Sequence, residues 1–470
     1  MDVQDKQYIP FYLRVHKPIF RMLKWLISPL LFFIWKRRRG IAIFLITFAV
    51  LHTTALIITG RMLNKKLDEI KAKGEPINFS ELGGKKIADN QNAYIYFKQA
   101  TDKMDSDKFF KSLFKEINSK RYDDDYYILL KENENLKNSF RAWINNNLDI
   151  FTLIQHGASL PYYQVETKGK KGYEPLYLKL NIISNQRLFC IKSLIETLDG
   201  DIDKAISDSC STLKMGNILQ HHPTLDGQLW RMALDRMAIK NIRLIAKNNK
   251  LNYNQSLELY NTINKIDYSQ IYKTAMIGER AIRISDFDYA KKPGVNMSFG
   301  WDTTQDIYWW LYNSHLARPF LYLDELNYLK QMTTLIESNG NIKPAQWSIP
   351  AEEDSCCEYY SLTSRFLEYY FDTKNKMLET QSIIDGTKVF LGLLAYKSKF
   401  DSYPNGLTEL KTKLNWETPN DVCSGKPFTY TKKGSGFLLY GYGKNGIDDG
   451  GIRLDPNDSH KYDIVWKMDK

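Results

Sequence analysis

Four oxygen-bearing residues near the C-terminus are the part of the chain best suited to binding a metal ion. Asn445, Asp448 and Asp449 lie in the glycine-rich run 443–451 (GKNGIDDGG), and Asp463 begins a short apolar segment that follows. Ca²⁺ prefers several oxygen ligands from carboxylates and carbonyls, although this run does not have the spacing of an EF-hand. Two interpretations stay open: a weak Ca²⁺ site, and an acidic turn that binds nothing.

Other reactive residue types form no catalytic set at a known spacing. The 7 histidines include no HExxH, and no GxSxG, P-loop or dinucleotide fingerprint is present. His221 and His222 are adjacent, and adjacent residues point to different faces of a helix, so a helix end is a better interpretation than a metal pair. We expect no catalytic residues and no cofactor besides Ca²⁺. The alternative is a hydrolase with the dispersed acids Glu279, Glu352 and Glu353.

An uncharged apolar segment near the N-terminus predicts how the chain is anchored. Residues 41–60 (IAIFLITFAVLHTTALIITG) directly follow the basic run 36–39. A helix of about 20 residues, rising 1.5 Å per residue, covers the roughly 30 Å hydrocarbon core and satisfies its own backbone there. The segment is too long and too far from the N-terminus for a cleaved signal peptide. The sequence therefore predicts one transmembrane helix, with lipid as its first partner.

Basic residues near the two ends of this segment predict its orientation. The contiguous cluster at 36–39 favours a cytoplasmic N-terminus, which makes 1–40 a basic cytoplasmic or interfacial segment and places the bulk of the chain outside. Within it, the apolar stretch 25–35 is too short to span; an interfacial position and a re-entrant hairpin both stay open. His52, in mid-span, is either a proton or ligand site or a neutral imidazole, and the second is preferred.

The distribution of charge argues against binding to nucleic acid. The chain has a formal net charge of +11, but residues 1–66 hold 12 Lys/Arg against 2 Asp/Glu. Of the chain's totals of 65 and 54, this leaves 53 Lys/Arg against 52 Asp/Glu in the other 404 residues. A nearly neutral region with both signs interspersed presents no basic stripe for phosphates. The basic excess belongs to the membrane-proximal segment.

The region after the span has helical spacing almost throughout. We expect a juxtamembrane helix and linker over 61–88, which stops at the Gly-Glu-Pro triplet 74–76, and an all-helical region over 89–340. The string 200–205 (GDIDKA), in which Asp201 is placed to cap a helix, resembles the turn of a tetratricopeptide-type helix pair. It occurs once, so a solenoid-like arrangement is one interpretation and a plain helical layer is the other. Residues 341–373 read as a linker.

The last segment, 374–470, predicts a small α+β head. Its apolar helix is followed by strand signals at 427–430, 437–440 and 463–466. The motifs YPNGLTEL, SGKPFTY, GFLLYGYGKNGIDDGG and DIVW resemble, in this order, the C-terminal head of type II secretion major pseudopilins. That resemblance implies a long helix, a small antiparallel sheet and a Ca²⁺-binding loop to which Asn445, Asp449 and Asp463 correspond.

The tail is also similar to one found in bacterial single-pass membrane proteins with a long helical middle, which carry a GEP and a GER triplet like Gly278-Glu279-Arg280. The chain departs from pseudopilins elsewhere. These are cleaved after a Gly and carry a Glu five residues into the apolar helix, whereas here Gly40 is followed by Leu45 at that position. We therefore expect no assembly into a pilin fibre.

Together these features predict a structural or interaction protein of the bacterial cytoplasmic membrane. It is expected to be mainly α, with a single transmembrane helix, a helical middle region and a small α+β head. Its expected partners are membrane lipid and other envelope or membrane-complex proteins. An envelope hydrolase is the alternative.

Overall fold

The computed structural model describes residues 37–82, 86–119, 125–165, 181–268, 271–292, 314–338, 362–443, 445–452 and 462–469. These residues are mainly helical, as predicted. Their α-helices, numbered in chain order, are α1 (Arg38–Ala72), α2 (Ala93–Ser106), α3 (Lys108–Ser119), α4 (Asp125–Glu132), α5 (Glu134–Asn146), α6 (Leu148–Ser159), α7 (Asn181–Asp199), α8 (Ile202–Asn217), α9 (Leu225–Asn248), α10 (Tyr253–Ile263), α11 (Ile271–Ala290), α12 (Arg318–Glu337), α13 (Leu362–Phe400) and α14 (Thr408–Leu414).

A three-stranded antiparallel sheet follows the helices, which confirms the predicted small sheet. Its strands lie in the order β1 (Thr429–Lys433), β2 (Gly436–Tyr442) and β3 (Asp463–Met468). Leu439 in the central strand pairs with Tyr430 on one side and with Trp466 on the other. Gly434 makes the turn between the first two strands with φ of +59°, a conformation that favours glycine.

The chain divides into two compact units: residues up to 68 with 289–326, and residues 69–288 with 327–470. The first unit contains the apolar part of α1. In the part of the chain that the structure describes, this is the one helix long and apolar enough to cross a membrane. It runs on to Ala72, and Gly74, with φ of +72°, follows its end as the sequence predicted.

The second unit contains the helical region and the sheet. Helices α7 and α8 form an antiparallel hairpin around Gly200, whose φ is +86°. Asp201 was predicted to cap α8, but its side chain makes no capping hydrogen bond and instead accepts one from Lys204. Whether the helical region is solenoid-like stays a prediction.

The longest helix, α13, joins the helical region to the sheet within this unit. It begins at Leu362, inside the range predicted as linker, and packs against α9, α10, β2 and β3. A Cβ added to Gly386 would lie 2.1 Å from the Trp466 ring, so the ring seats directly on the helix backbone. From α9, Arg243 stacks 4.9 Å from the centre of the same ring and donates a hydrogen bond of 2.7 Å to the Val465 carbonyl.

An ammonium shared by two carboxylates lies in the interface of α7 and α8. Nζ of Lys192 is 2.5 Å from Oε1 of Glu196 and also contacts the carboxylate of Asp208. One positive charge therefore serves two largely buried negative charges. Burial, together with the charge of Asp208, raises the pKa of Glu196 to about 7.

This shared ammonium predicts a pH-dependent stability. Because the pKa of Glu196 is higher in the folded chain than its ordinary value of 4.5, its stability contribution is present below pH 4.5 and is lost as the pH rises through about 7. Glu196→Gln leaves Lys192 with one carboxylate. We expect this change to raise the free energy of unfolding by about 1–2 kcal/mol at pH 8 and to change it little at pH 4.

Urea unfolding at both pH values measures the effect. Glu132→Gln, which removes an exposed carboxylate on α4, is the matched control and should change stability little at either pH. An equal effect of Glu196→Gln at pH 4 and pH 8 would exclude titration of this carboxyl as the cause.

Candidate functional site

The structure brings the predicted Ca²⁺ ligands into one loop beside the sheet. Oδ2 of Asp463 accepts hydrogen bonds from the backbone amides of Asp449 (3.1 Å) and Gly451 (2.7 Å). Oδ2 of Asp449 in turn accepts hydrogen bonds from the amide of Tyr462 (2.9 Å) and from Nδ2 of Asn445 (2.8 Å). The acids therefore close the loop by binding its own donors.

Asp448 binds a different set of donors. Its Oδ1 accepts hydrogen bonds from the Tyr440 hydroxyl (3.1 Å) and the Gly450 amide (3.0 Å), and its Oδ2 accepts one from the Tyr442 hydroxyl (3.2 Å). The hydrogen bond from Gly450 is the main cause that lowers the pKa of Asp448. Gly450 and Gly451 have φ of +74° and +77°, which side chains disfavour, and this accounts for the glycines of the run.

One oxygen of this loop is left without a donor. Asp463 is 1% exposed, and its Oδ1 is buried and accepts no hydrogen bond from the residues that the structure describes. Burial raises the pKa of this carboxyl, against the opposing effect of the Gly451 amide. An oxygen of this kind is suited to a cation, because a buried acceptor without a partner is unfavourable.

A complete metal-ligand set is not formed. Within the described ranges, no three His, Cys, Asp or Glu side chains converge as they would around a metal ion. The structure thus places Asn445, Asp448 and Asp449 in one loop beside Asp463 at the start of β3, and Oδ1 of Asp463 has no donor among the described residues. Binding of Ca²⁺ stays a prediction.

The acid predicted for a hydrolase, Glu279, lies in a buried polar cluster. Its Oε1 accepts a hydrogen bond of 3.3 Å from the Leu225 amide, and its Oε2 accepts bonds of 3.4 Å from Arg283 and from the Tyr370 hydroxyl. Arg283 also donates to Asp286 at 2.9 Å. Burial raises the pKa of Glu279, and Arg283 opposes the shift. The cluster ties the start of α9 to α11 and α13; a raised pKa is also what a general acid requires.

The neighbours of Glu279 connect two triplets that lie far apart in the sequence. Arg280 is 1% exposed, and its guanidinium donates to the carboxylate of Glu75, which belongs to the Gly-Glu-Pro triplet after α1. A Cβ added to Gly278 would lie 1.7 Å from the Pro223 carbonyl oxygen. The Gly-Glu-Arg triplet therefore brings three segments together, a pairing that sequence reasoning did not find because nothing local marks it.

Of the histidines singled out in the sequence, His222 and His52 make hydrogen bonds, and His221 is exposed. His221 and His222 follow the end of α8, and Nδ1 of His222 lies 3.0 Å from Oγ1 of Thr224. Burial lowers the pKa of His222 to about 4. In the first unit, Nε2 of His52 donates to the Leu316 carbonyl at 3.2 Å. Glu352, Glu353 and the apolar stretch 25–35 lie outside the described residues.

Sequence reasoning also missed a buried aspartate in the second unit. Asp421 is 0% exposed, and its carboxylate accepts hydrogen bonds from the hydroxyls of Ser382 (2.5 Å) and Ser424 (2.7 Å) and from the amides of Cys423 (3.1 Å) and Tyr442 (3.0 Å). An Asp in a loop commonly accepts a hydrogen bond from the backbone amide two residues on, as Asp421 does from Cys423. Its bonds to α13 and β2 could not have been predicted from that signal.

Comparisons of this chain with protein-family models, with curated proteins and with solved structures found no match. The resemblance of residues 374–470 to pseudopilin heads therefore rests on the sequence motifs quoted above.

Because α11 lies close to the loop before α9, a methyl group added at Gly278 is predicted to change the stability of the protein strongly. In an ordinary helix, Gly→Ala is stabilising, because alanine has the higher helix propensity. At Gly278 the new Cβ would overlap a backbone carbonyl, so we expect Gly278→Ala to lower the free energy of unfolding by about 2 kcal/mol or more.

Thermal or urea unfolding measures the loss. Gly406→Ala is the matched control, since its new Cβ would meet nothing closer than Oγ1 of Thr408 at 3.8 Å, and it should change stability by less than about 0.5 kcal/mol. Equal stability of the Gly278→Ala variant and the unsubstituted protein would contradict the contact.

Proposed function

We propose that this protein is anchored in the bacterial cytoplasmic membrane by α1, with its N-terminus inside and the bulk of the chain outside. There it acts as a structural or interaction protein that binds other envelope or membrane-complex proteins. The basic run at 36–39 supports the orientation, because cytoplasmic flanks carry the excess of Lys and Arg.

The exposure of the apolar side chains of α1 carries the proposal. Ile43, Phe44, Ile46 and Leu51 are 65%, 67%, 64% and 64% exposed, although they belong to the most apolar stretch of the chain. A helix that is hydrophobic on all sides is stable when protein or lipid covers it. No part of the window that qualifies as a span is buried by protein, so lipid is the cover that its composition fits.

Membrane anchoring predicts the behaviour of the full chain on fractionation. The protein should stay with the membranes through washes in high salt and in alkali and should be released by detergent, because apolar burial is insensitive to ionic screening. Replacing Ile46 and Leu51 by Lys should abolish retention, whereas the same changes at the exposed Phe109 and Leu148 of the second unit should not. Release of the unsubstituted protein by alkali alone would refute the anchor.

Labelling from one side of the membrane tests the orientation. In a chain whose native cysteines are replaced by serine, an impermeant thiol reagent added to intact spheroplasts should modify a cysteine placed at Lys73. It should spare one placed at Gln4 until the membrane is permeabilised. The opposite pattern would reverse the orientation and leave the anchor in place.

The buried acids of the second unit support a structural role. Glu279, with donors from three segments, acts as a junction, and Glu75 and Glu379 pair with Arg280 and Arg236 across elements distant in sequence. These carboxylates are engaged in holding the unit together. The raised pKa of Glu279 is the observation that favours the alternative, a hydrolase.

One conservative substitution separates the two functions. Glu279→Gln keeps an oxygen acceptor for the Leu225 amide but cannot transfer a proton as a carboxylic acid does. In the structural role, the variant should complement a deletion strain and lose no more than about 1–2 kcal/mol of stability. A folded, normally abundant Glu279→Gln variant that fails to complement would favour the hydrolase.

We further propose that the loop 443–451 binds Ca²⁺ weakly through the free oxygen of Asp463, as the resemblance to pseudopilin heads implies. Binding to the folded state alone should raise the melting temperature of the full chain, by an amount that corresponds to about 1.4 kcal/mol when the Ca²⁺ concentration is ten times Kd. Asp463→Asn should remove this shift. Asp469→Asn, at an exposed carboxylate paired with Lys467, should retain it.

The comparison of shifts, and not of absolute melting temperatures, separates metal binding from any loss of stability in the variant. No shift at millimolar Ca²⁺, or a full shift in Asp463→Asn, would leave the loop as an acidic turn that binds no cation.

A further inference from the structure

The first unit contains a short segment that lies alongside the apolar part of α1. A 3₁₀ turn, His315–Ala317, leads into α12. His52 donates to the Leu316 carbonyl at 3.2 Å, and a Cβ added to Gly60 would lie 3.5 Å from the Tyr322 ring. The two contacts follow the same order along both segments, since His52 precedes Gly60 and Leu316 precedes Tyr322. The segment and α1 therefore run in the same direction.

These contacts also define the depth of the segment along α1. His52 precedes Gly60 by eight residues, which corresponds to about 12 Å at 1.5 Å per residue. Gly60 ends the apolar run 41–60. Leu316 therefore lies beside the middle of the run, well inside the thickness that the bilayer would occupy around it.

The outer face of the segment is apolar and uncovered. Leu316, Phe320 and Leu323, at the spacing i, i+4 and i+7, are 63%, 69% and 43% exposed. Residues at this spacing lie on one face of a helix. The polar group is on the inside instead, since the buried carboxylate of Glu325 pairs with Lys291 at 2.6 Å. Apolar side chains on the outside and an ion pair on the inside are the reverse of the arrangement found at protein surfaces in water.

We propose that residues 314–323 are a second membrane-inserted segment, whose apolar face is covered by lipid acyl chains. This inference rests on the proposed anchoring by α1. The segment is too short to span, so it enters and leaves from the side of the membrane where α1 ends. Lipid is the occupant because the apolar face is continuous in depth with exposed side chains of α1, among them Ile57 and Ile58.

Two polar backbone groups at the start of the segment have partners within the protein. In hydrocarbon, polar backbone groups need partners within the protein. Oγ of Ser314 accepts a hydrogen bond of 3.3 Å from the Ala317 amide, and His52 supplies the donor for the Leu316 carbonyl. This gives His52 a role in mid-span: its imidazole satisfies a carbonyl of the inserted segment.

The segment contains two ionisable side chains, His315, which is exposed, and Arg318. Arg318 lies in the first turn of α12, and its Nε is buried by protein, so this part of the guanidinium is not presented to acyl chains. The sequence just before the segment contains Tyr308, Trp309 and Trp310, residue types that are enriched at membrane interfaces.

Nitroxide labels on the full chain in lipid nanodiscs test the proposal. A p-acetylphenylalanine replaces Phe320, Leu323, Ile46 or Leu148 one at a time and carries the label, so that the native cysteines stay unmodified. Oxygen concentrates in the hydrocarbon and a nickel chelate is excluded from it. We expect the ratio of oxygen to nickel collision rates at Phe320 and Leu323 to match that at Ile46 and to exceed that at Leu148 at least about threefold.

Each result supports or overturns a named claim. A lipid signal at Ile46 with aqueous signals at Phe320 and Leu323 would overturn the inserted segment and leave the anchor standing. Aqueous signals at all four positions would overturn both. Labels at two positions in the segment show whether one label has disturbed the structure around it. The substitution His52→Leu should lower the ratio of oxygen to nickel collision rates at Phe320 and leave the ratio at Ile46 unchanged.

Discussion

Arg280 is almost fully buried on α11, and Glu75 pairs with its guanidinium from a position 205 residues earlier. Burying a charge without a partner costs more free energy than most single contacts contribute, so the fold must keep the two residues of such a pair together. The pair determines where the chain must run after α1, and the close packing of Gly278 on Pro223 holds the loop before α9 in the same place. Glu279, next in sequence to Arg280, adds hydrogen bonds from the Leu225 amide and the Tyr370 hydroxyl to this junction.

Contacts between distant segments also explain how the sheet is attached to the helices. Trp466 in β3 rests on α13 at Gly386, where the missing side chain leaves space for the indole, and Arg243 covers the ring from α9. Glu379 on α13 accepts hydrogen bonds from Arg236 and from Tyr462. Polar atoms therefore lie at the interface between the helices and the sheet. Their hydrogen bonds restrict the orientation of the sheet on the helices more than apolar contacts alone would.

The first unit obeys a different constraint. Over its apolar part, α1 exposes large side chains such as Ile43, Leu51 and Ile58, whereas Leu63, beyond this part, is buried. The second unit has a large buried apolar core, although Phe109 and Leu148 are exposed. Along α1 and the start of α12, large apolar side chains face outward, and the ion pair of Lys291 with Glu325 is held inside. This inverted arrangement is the one expected in lipid, because exposed apolar side chains are favourable there and unpaired polar groups are unfavourable.

Local patterns in the sequence determined much of this architecture. Hydrophobic length predicted the apolar helix, and helical spacing predicted the mainly α middle. Short strand signals separated by turn-forming residues predicted the three strands, because each of these signals depends on residues close together in the sequence. The candidate loop was also found locally, through acids in a glycine-rich run.

Tertiary structure alone decided which distant residues meet. The pairing of Arg280 with Glu75, the donors that occupy Asp448 and Asp449, and the oxygen of Asp463 that stays free depend on contacts between segments whose spacing in sequence carries no signal. The start of α13 inside the predicted linker was not marked in the sequence either, because Gly, Pro and clustered acids over 338–365 indicated a loop. Helix and strand are largely local properties, whereas a site is a property of the folded chain.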